Sequence, residues 1–359
     1  MGERTIIPFG PHHPVLPEPI HLDLVLEDET VVQAIPNIGF IHRGLELLCK
    51  KKTYDQMSMV GERICGICSM THGIGTCQSI EYSMGIEVPE RAQFLRVFLN
   101  ELGRIQSHVL WLGLAADAIG FESLFMHSWR VRELVLDILE ELTGGRVIFS
   151  IAKVGGLKKE IGDDTLKRIL TQLDKFKNEF DKLAKVFTDD LTVTHRWSGV
   201  GMLSRDDAMK LGAVGPVARA SGVRTDARLL GYGAYKHMNF EPVVTDTCDC
   251  YGRAYVRVKE VFQALDLIKQ SVAKMPKGEV DMKIKGFPEG EFFGRLEQPR
   301  GEVIYYIKGN GTKYLERFRV RTPTFANVPP LVKMLAGVDL ADVPAIVLAI
   351  DPCISCTER

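Results

Sequence analysis

The sequence predicts an α+β fold, predominantly α, in which a central helix bundle carries small β hairpins near the N-terminus and in the C-terminal third. Three observations lead there. Apolar residues recur at three- and four-residue spacing over long stretches of the middle of the chain, the period of helices with one buried face. Two-residue alternation is confined to the two ends. No repeat, low-complexity tract or Pro/Ser-rich linker divides the 359 residues, so one continuous domain over 1–359 is expected.

The elements follow in order. Within residues 1–50, Ile20, Leu22, Leu24 and Leu26 alternate with polar or smaller residues, Glu27-Asp28-Glu29 interrupts, and Thr30 to Ile35 resumes, the pattern of a hairpin with one buried face. Residues 51–275 form the helical core. Pro89 opens a run in which Phe94, Leu95, Phe98, Leu102, Ile105, Val109 and Leu112 share a face. Leu124 to Leu142 repeats the pattern and stops at Gly144-Gly145. From Thr165 to Phe187 a stripe of Leu166, Ile169, Leu173, Phe176, Phe180, Leu183 and Phe187 runs among Lys, Asp and Glu, which predicts a long surface helix. Arg253 to Met275 is a further helix, ended by Pro276. In residues 276–325, Glu302 to Lys308, the turn Gly309-Asn310-Gly311 and Lys313 to Val320 predict a second hairpin. Residues 326–359 close the chain.

Composition excludes several functions. Lys and Arg total 45 against 46 Asp and Glu, a net charge of −1, which lacks the basic excess that a nucleic-acid partner demands. Hydrophobic residues at 45% and charged residues at 25% describe a packed globular chain. The longest apolar candidate for a membrane span, Val343 to Ile350, is too short and is interrupted by Pro344. Met1-Gly-Glu-Arg-Thr-Ile-Ile-Pro has no secretory pattern, so a cytoplasmic setting is expected. Thiols stay reduced there, and eight cysteines then point to metal or redox chemistry rather than disulfides. Gly231-Tyr232-Gly233 falls short of a dinucleotide fingerprint and no phosphate-loop motif occurs, so no nucleotide cofactor is expected.

The chemistry concentrates in two C-x-x-C knuckles, Cys65-Gly66-Ile67-Cys68 and Cys353-Ile354-Ser355-Cys356. Each places two sulfurs on one tight turn, and four thiolates together select zinc, copper(I), iron-sulfur clusters or nickel over hard cations. A structural zinc site is the plain alternative, although zinc ribbons set their knuckles about 15 to 20 residues apart. Either knuckle alone is equally well read as a redox dithiol. Cys49, Cys77, Cys248 and Cys250 are expected to be buried small hydrophobes, with Cys248-Asp249-Cys250 a minor metal contact at most, and Met57, Met59 and Met70 ordinary packing residues.

The flanks narrow the choice. Arg63-Ile64-Cys65-Gly66-Ile67-Cys68-Ser69-Met70-Thr71-His72 and Asp351-Pro352-Cys353-Ile354-Ser355-Cys356 resemble the two metal-binding motifs of NiFe hydrogenase large subunits. His42-Arg43-Gly44-Leu45-Glu46 and Gln298-Pro299-Arg300-Gly301 match two further landmarks in the same order, so the resemblance spans nearly the whole chain. Gly10-Pro11-His12-His13-Pro14, His42-Arg43-Gly44 and Glu101-Leu102-Gly103-Arg104-Ile105-Gln106-Ser107-His108 resemble motifs shared with the quinone-site subunit of complex I. Together they indicate the membrane-bound energy-converting class, the Ech type and its CO-induced relatives. Complex I subunits of this ancestry lack the four cysteines, which favours a hydrogenase here. The chain ends in Arg359 where most other members end in His.

The resemblance implies a role for each residue. Cys65 and Cys353 are terminal nickel ligands, and Cys68 and Cys356 bridge nickel to an iron carrying CO and cyanide. Glu18, in Pro17-Glu18-Pro19, relays protons from a terminal cysteine, although by composition it reads as a solvated surface charge. Arg300 lies over the metal site and Asp351 pairs with it. By their neighbours alone both are ordinary turn residues. His72 donates to a bridging thiolate, which is an orienting role. Arg63 either neutralises the thiolates or pairs with Glu62. Glu46 corresponds to the carboxylate of an outer divalent-metal site, a role weakened by Arg359 in place of the terminal His.

With the four paired cysteines used at the metal site, no cysteine pattern for a full iron-sulfur relay remains, so electrons must come through partners. The resemblance implies a small subunit with a proximal iron-sulfur cluster, a ferredoxin-like subunit, soluble ferredoxin and integral membrane subunits that move ions. The chain would sit on the inner face of the cell membrane through them. A non-catalytic quinone-binding or electron-transfer subunit of the complex I type and a structural zinc protein are the two rivals.

Overall fold

Five long helices form the core of the computed structural model, which describes residues 4–359: α1 (Ser69–Ser83), α2 (Glu90–Ala118), α3 (Glu122–Thr143), α4 (Asp163–Asp189) and α5 (Cys250–Lys274). The predicted helices are all present, and α+β with a predominance of helix is the observed class. α2 is the central rod, packed against α3 on one side and α5 on another. Phe98, Leu102, Ile105, Val109 and Leu112 of its apolar face are fully buried.

α4 buries the whole predicted stripe while its other faces stay in solvent. Phe180 stacks on Phe176 and meets Phe262 of α5 edge-on at 5.3 Å. Burial of each such ring stabilises the fold by roughly 2–3 kcal/mol. α3 ends where the sequence places its stop: Gly144 adopts φ 82° and donates its amide to Glu140 O, a left-handed cap that suits glycine. α5 starts three residues earlier than its apolar pattern, because Asp249 caps it by accepting from the Gly252 amide.

The N-terminal hairpin is β2 (His21–Glu27) and β3 (Thr30–Asn37), with Leu22, Leu24 and Leu26 buried. Two strands that the alternation did not predict extend it. β1 (Arg4–Phe9) pairs with β2 as an edge strand, the position in a sheet where a proline such as Pro8 is tolerated. A two-residue strand at Val338–Asp339 pairs with β3 on the other side, giving four antiparallel strands.

The second hairpin also gains a strand. β4 (Glu289–Gln298), β5 (Gly301–Asn310) and β6 (Leu315–Arg321) form a three-stranded sheet with β5 in the middle. β4 is largely exposed over its first half and shows no clean alternation, which hid it. Gly309 belongs to β5 rather than to the turn. A Cβ there would lie 2.2 Å from Pro288 O, so the strand needs glycine for close approach of the backbone. The chain then runs through α6 (Pro323–Leu335) and α7 (Val343–Ala349) into the short helix α8 (Ile354–Thr357). One hydrophobic cluster reaches from Phe9 to Cys356 and contains all four knuckle cysteines.

Candidate metal centre

The first knuckle sits directly before a helix, and the second runs into one. Cys68 precedes α1, and the amides of Ile67 and Cys68 point at Cys65 Sγ at 3.2 and 3.4 Å, which fixes the first turn. The second knuckle follows α7 through Asp351, held at φ 55° with its amide on Leu348 O, and the Cys353 amide donates to Thr324 Oγ1 at 3.1 Å. This places the four sulfurs within 4.8 Å of one another, each cysteine no more than 2% exposed. Cys65 lies 3.2 Å from Cys353 and Cys68 lies 3.3 Å from Cys356. These are the same two pairs to which the resemblance gives the terminal and the bridging roles.

Four soft donors converging in a dry pocket fit a nickel, iron or zinc centre. Among the described residues no other group of three or more His, Cys, Asp or Glu side chains converges in this way. The thiols do not ionise alike. Burial opposes ionisation of Cys68, but hydrogen bonds from Cys353, Cys356 and Cys65 outweigh it and hold Cys68 well below the usual thiol range. Cys356 is held well above that range, first by burial and then by its bonds to the other thiols. A metal binding here must therefore displace thiol protons.

Arg300 and Asp351 form the positive and negative halves of a buried pair beside the cluster. Arg300 Nη2 donates to Asp351 Oδ1 at 2.6 Å, Nε donates to Asp351 O at 2.9 Å, and Nη1 donates to Ser107 Oγ on α2 at 3.1 Å. Burial works against the charge on Arg300, yet Asp351 and then the neighbouring cysteines Cys353, Cys68 and Cys65 keep it firmly protonated. Asp351 Oδ2 has no hydrogen-bond partner, and burial raises this carboxyl despite Arg300 and Arg257.

His72 lies on α1 with Nε2 3.4 Å from Cys356 Sγ and Nδ1 2.7 Å from the Tyr305 hydroxyl of β5. The Gln298 side-chain amide adds a third contact to the ring at 3.0 Å. Glu18 is not a solvated surface charge. Its carboxylate accepts from the amides of Ile354 and Ser355 and from the Ser355 hydroxyl, at the turn that carries Cys353. Burial pushes its carboxyl up, opposed by the Ser355 amide, Arg300 and the Ile354 amide. Glu18 also lines a surface cleft of about 370 Å³ together with His12 and His13.

Three expectations are placed differently. Glu46 does not join a cluster of metal donors: its oxygens accept from Arg359 Nε and Arg319 Nη1, both at 2.8 Å, and from the Val320 amide. Two guanidinium groups thus occupy the carboxylate expected to hold a second divalent metal. Arg63 neither faces the thiolates nor pairs with Glu62. It is exposed and donates to Met59 O, while buried Glu62 accepts from the Ser150 hydroxyl. Cys49, Cys77 and Cys250 are buried, but Cys248 is only half-buried and donates to Asp246 O.

Arg43 is a residue whose role the sequence reading missed. Its guanidinium donates to Arg63 O at 3.0 Å, Ile64 O at 2.9 Å and Ser355 O at 2.7 Å, and so ties the backbone of one knuckle to that of the other. Nearby, the Glu358 carboxylate accepts from the amides of Gly39 and Ile41, and His42 Nδ1 meets Glu358 O. Only the motif His42-Arg43-Gly44 signalled this segment.

Four buried sulfurs from the two ends of the chain, set in a helical core with small flanking sheets, define a candidate thiolate metal centre. Residues 118–287 and 283–359 match the family described as respiratory-chain NADH dehydrogenase, 49 Kd subunit, and residues 43–115 match nickel-dependent hydrogenase. The chain is 36% identical to the membrane-bound hydrogenase subunit alpha of Pyrococcus furiosus, over 98% of this chain and 87% of that one. It is 38% identical to the carbon monoxide-induced hydrogenase of Rhodospirillum rubrum, over 98% and 99% of the two chains. A chain of the membrane-bound sulfane sulfur reductase, an archaeal respiratory membrane complex, superposes with a TM-score of 0.94 at 28% identity over 99% of this chain and 98% of that one. This chain belongs to the family of NiFe hydrogenase large subunits of the membrane-bound, energy-converting class, which is related to the 49 Kd subunit of complex I. The relatives are subunits of membrane-bound complexes, and among the described residues no helix is long and apolar enough to cross a membrane.

Proposed function

We propose that this chain is the catalytic subunit of an energy-converting NiFe hydrogenase that reduces protons to hydrogen reversibly with ferredoxin electrons. Those electrons arrive through a small subunit with a proximal iron-sulfur cluster and a ferredoxin-like subunit, and integral membrane subunits couple the reaction to ion movement at the inner face of the membrane. The observation that carries this reading is the four-thiol cluster, buried against the Arg300–Asp351 pair.

Cys65, Cys68, Cys353 and Cys356 would hold a nickel-iron centre, the iron bearing CO and cyanide, and the bound centre supplies the redox chemistry that interconverts protons and hydrogen. The protein's own residues do the rest. Arg300, locked by three hydrogen bonds, fixes a positive charge beside the anionic sulfurs and needs no rearrangement to do so. His72 orients Cys356, with Tyr305 and Gln298 fixing the ring. Glu18 holds a proton more readily than an ordinary carboxylate and borders both the Cys353 turn and the cleft of His12 and His13, so it can pass protons between sulfur and water.

Metal analysis of the purified complex tests the reading, together with its infrared spectrum. Nickel and iron in stoichiometric amounts, with bands from metal-bound CO and cyanide, are expected. Zinc alone would make the cluster structural, and absence of both nickel and iron would place the chain with the non-catalytic complex I subunits.

A further inference from the structure

A second set of charges is buried behind the Arg300 turn. Arg104, Arg219 and Arg228 face Glu101, Asp226, Glu260 and Glu297, every side chain at most 1% exposed. Three guanidiniums make ion pairs with four carboxylates, and a fourth buried guanidinium, Arg257 of α5, acts on Glu260 from further away and is shared with Asp351. His108 adds no compensating charge: although its Nε2 lies 2.9 Å from Glu260 Oε2, burial holds the imidazole down at about 4. In a dry interior a carboxylate with few donors of its own and another anion beside it takes up a proton instead.

The partners identify which group does so. Glu101 accepts from the Tyr235 hydroxyl, from Arg104 Nε at 3.0 Å and from Arg228. Asp226 is gripped by Arg228 Nη2 at 2.7 Å and by the Arg228 amide. Glu260 has Arg219 Nε at 2.8 Å and His108. Glu297 accepts only from Arg219 Nη1 at 2.8 Å, a guanidinium it shares with Glu260, and from the Ala227 amide at 2.9 Å. The other groups facing it are Asp226, which repels, Arg104 of α2, which attracts, and the Tyr232 hydroxyl, which takes its backbone amide.

We propose that this network is a one-proton binding site at neutral pH and that Glu297 carries the proton. Burial and then Asp226 push Glu297 up to about 7, against Arg219, Arg104 and the Ala227 amide, whereas Glu260 is held far below the carboxylate range. Glu297 is a positioning residue. Arg104 donates to the carbonyls of both Glu297 and Gln298, at 3.0 and 3.2 Å, so the charge balance that Glu297 sets bears on the strand end leading to Gln298 and Arg300. The inference stands on this network alone and not on the identity of the bound metal.

Infrared difference titration of the full chain between about pH 5 and about pH 9 tests it, through the deuterium-sensitive carbonyl stretch of a protonated carboxyl. The wild type should lose one such band with a midpoint near neutrality, and Glu297→Gln should lack that band altogether. Asp226→Asn, which removes the repelling anion, should move the midpoint down by ~1 pH unit or more. A wild type with no carboxyl titrating near neutrality, a band that persists in Glu297→Gln, or a midpoint unmoved in Asp226→Asn would each overturn the proposal. The Asp226→Asn arm keeps the test open should the Gln variant fail to fold.

Discussion

Replacing Glu18 by Gln separates the structural from the proton-carrying role of one carboxylate. Gln keeps the length of the side chain and one oxygen to accept from the amides of Ile354 and Ser355, and its new amide can donate to the Ser355 hydroxyl. What is lost is the difference between a charged and a neutral acceptor, about 1 kcal/mol for each of the two amides. A total near ~2 kcal/mol lies well inside the usual 5–15 kcal/mol stability of a domain, so the variant should fold and retain metal. Proton traffic should suffer far more. A positioned acid–base group contributes roughly 10²- to 10⁴-fold, and hydrogen/deuterium exchange should fall by at least ~100-fold. Glu18→Asp, one methylene shorter, should fall between wild type and Gln. The assay is isotope exchange under hydrogen gas on protein whose nickel and iron content has been measured first. Exchange at the wild-type rate in a metal-loaded Gln variant would refute the reasoning and redirect the proton path to His72 or to another group.

Three other perturbations probe the centre, and one the buried network. Arg300→Lys keeps the charge but cannot reach Asp351 Oδ1, Asp351 O and Ser107 Oγ at once; turnover should drop sharply with metal content largely retained. Arg43→Ala removes three bonds from a partly solvated guanidinium, a loss of about 1–3 kcal/mol, which should appear as a lower melting temperature and roughly tenfold faster metal loss to a chelator. Cys356→Ser puts a hard hydroxyl among soft donors and should abolish nickel retention and hydrogen turnover, as measured by metal analysis and gas evolution. For Glu297 the folded pKa is raised, so the native state binds the proton more tightly than the unfolded chain. The stability it contributes is complete below about 4.5 and is lost as pH rises through about 7. Wild type should therefore lose up to ~3 kcal/mol relative to Glu297→Gln across that window, measured by denaturant titration at each pH.

Periodicity carried much of the helical core, because α3 and α4 each bury a stripe that single residues can report. α1 escaped it. Residues 69 to 81 are buried all round, so no polar face marks a period. The strands β1 and β4 were missed for opposite reasons, one hidden by Pro8 and the other by a run of exposed, charged positions. The cysteines, Arg300, Asp351, His72 and Glu18 were legible only through their flanking motifs, since nothing local brings position 18 beside position 354. Arg43 and the Arg104 network were beyond sequence reasoning because Arg43 bonds only backbone carbonyls and Arg104 bonds the carbonyls of Glu297 and Gln298, nearly two hundred positions away. A guanidinium bound to main-chain oxygens leaves no pattern in side-chain identity.

The separation of the two knuckles has a consequence for how the protein is held together. The sulfur pairs join residues 288 positions apart. Any metal that binds all four therefore acts as a staple across most of the polypeptide, restricting the unfolded chain as a crosslink would. In the chain-entropy picture a closed loop of that length is worth about 5–6 kcal/mol, comparable to the whole stability of a modest domain. Metal insertion should thus act as a latch, which closes only when both ends have docked and afterwards makes global opening rare.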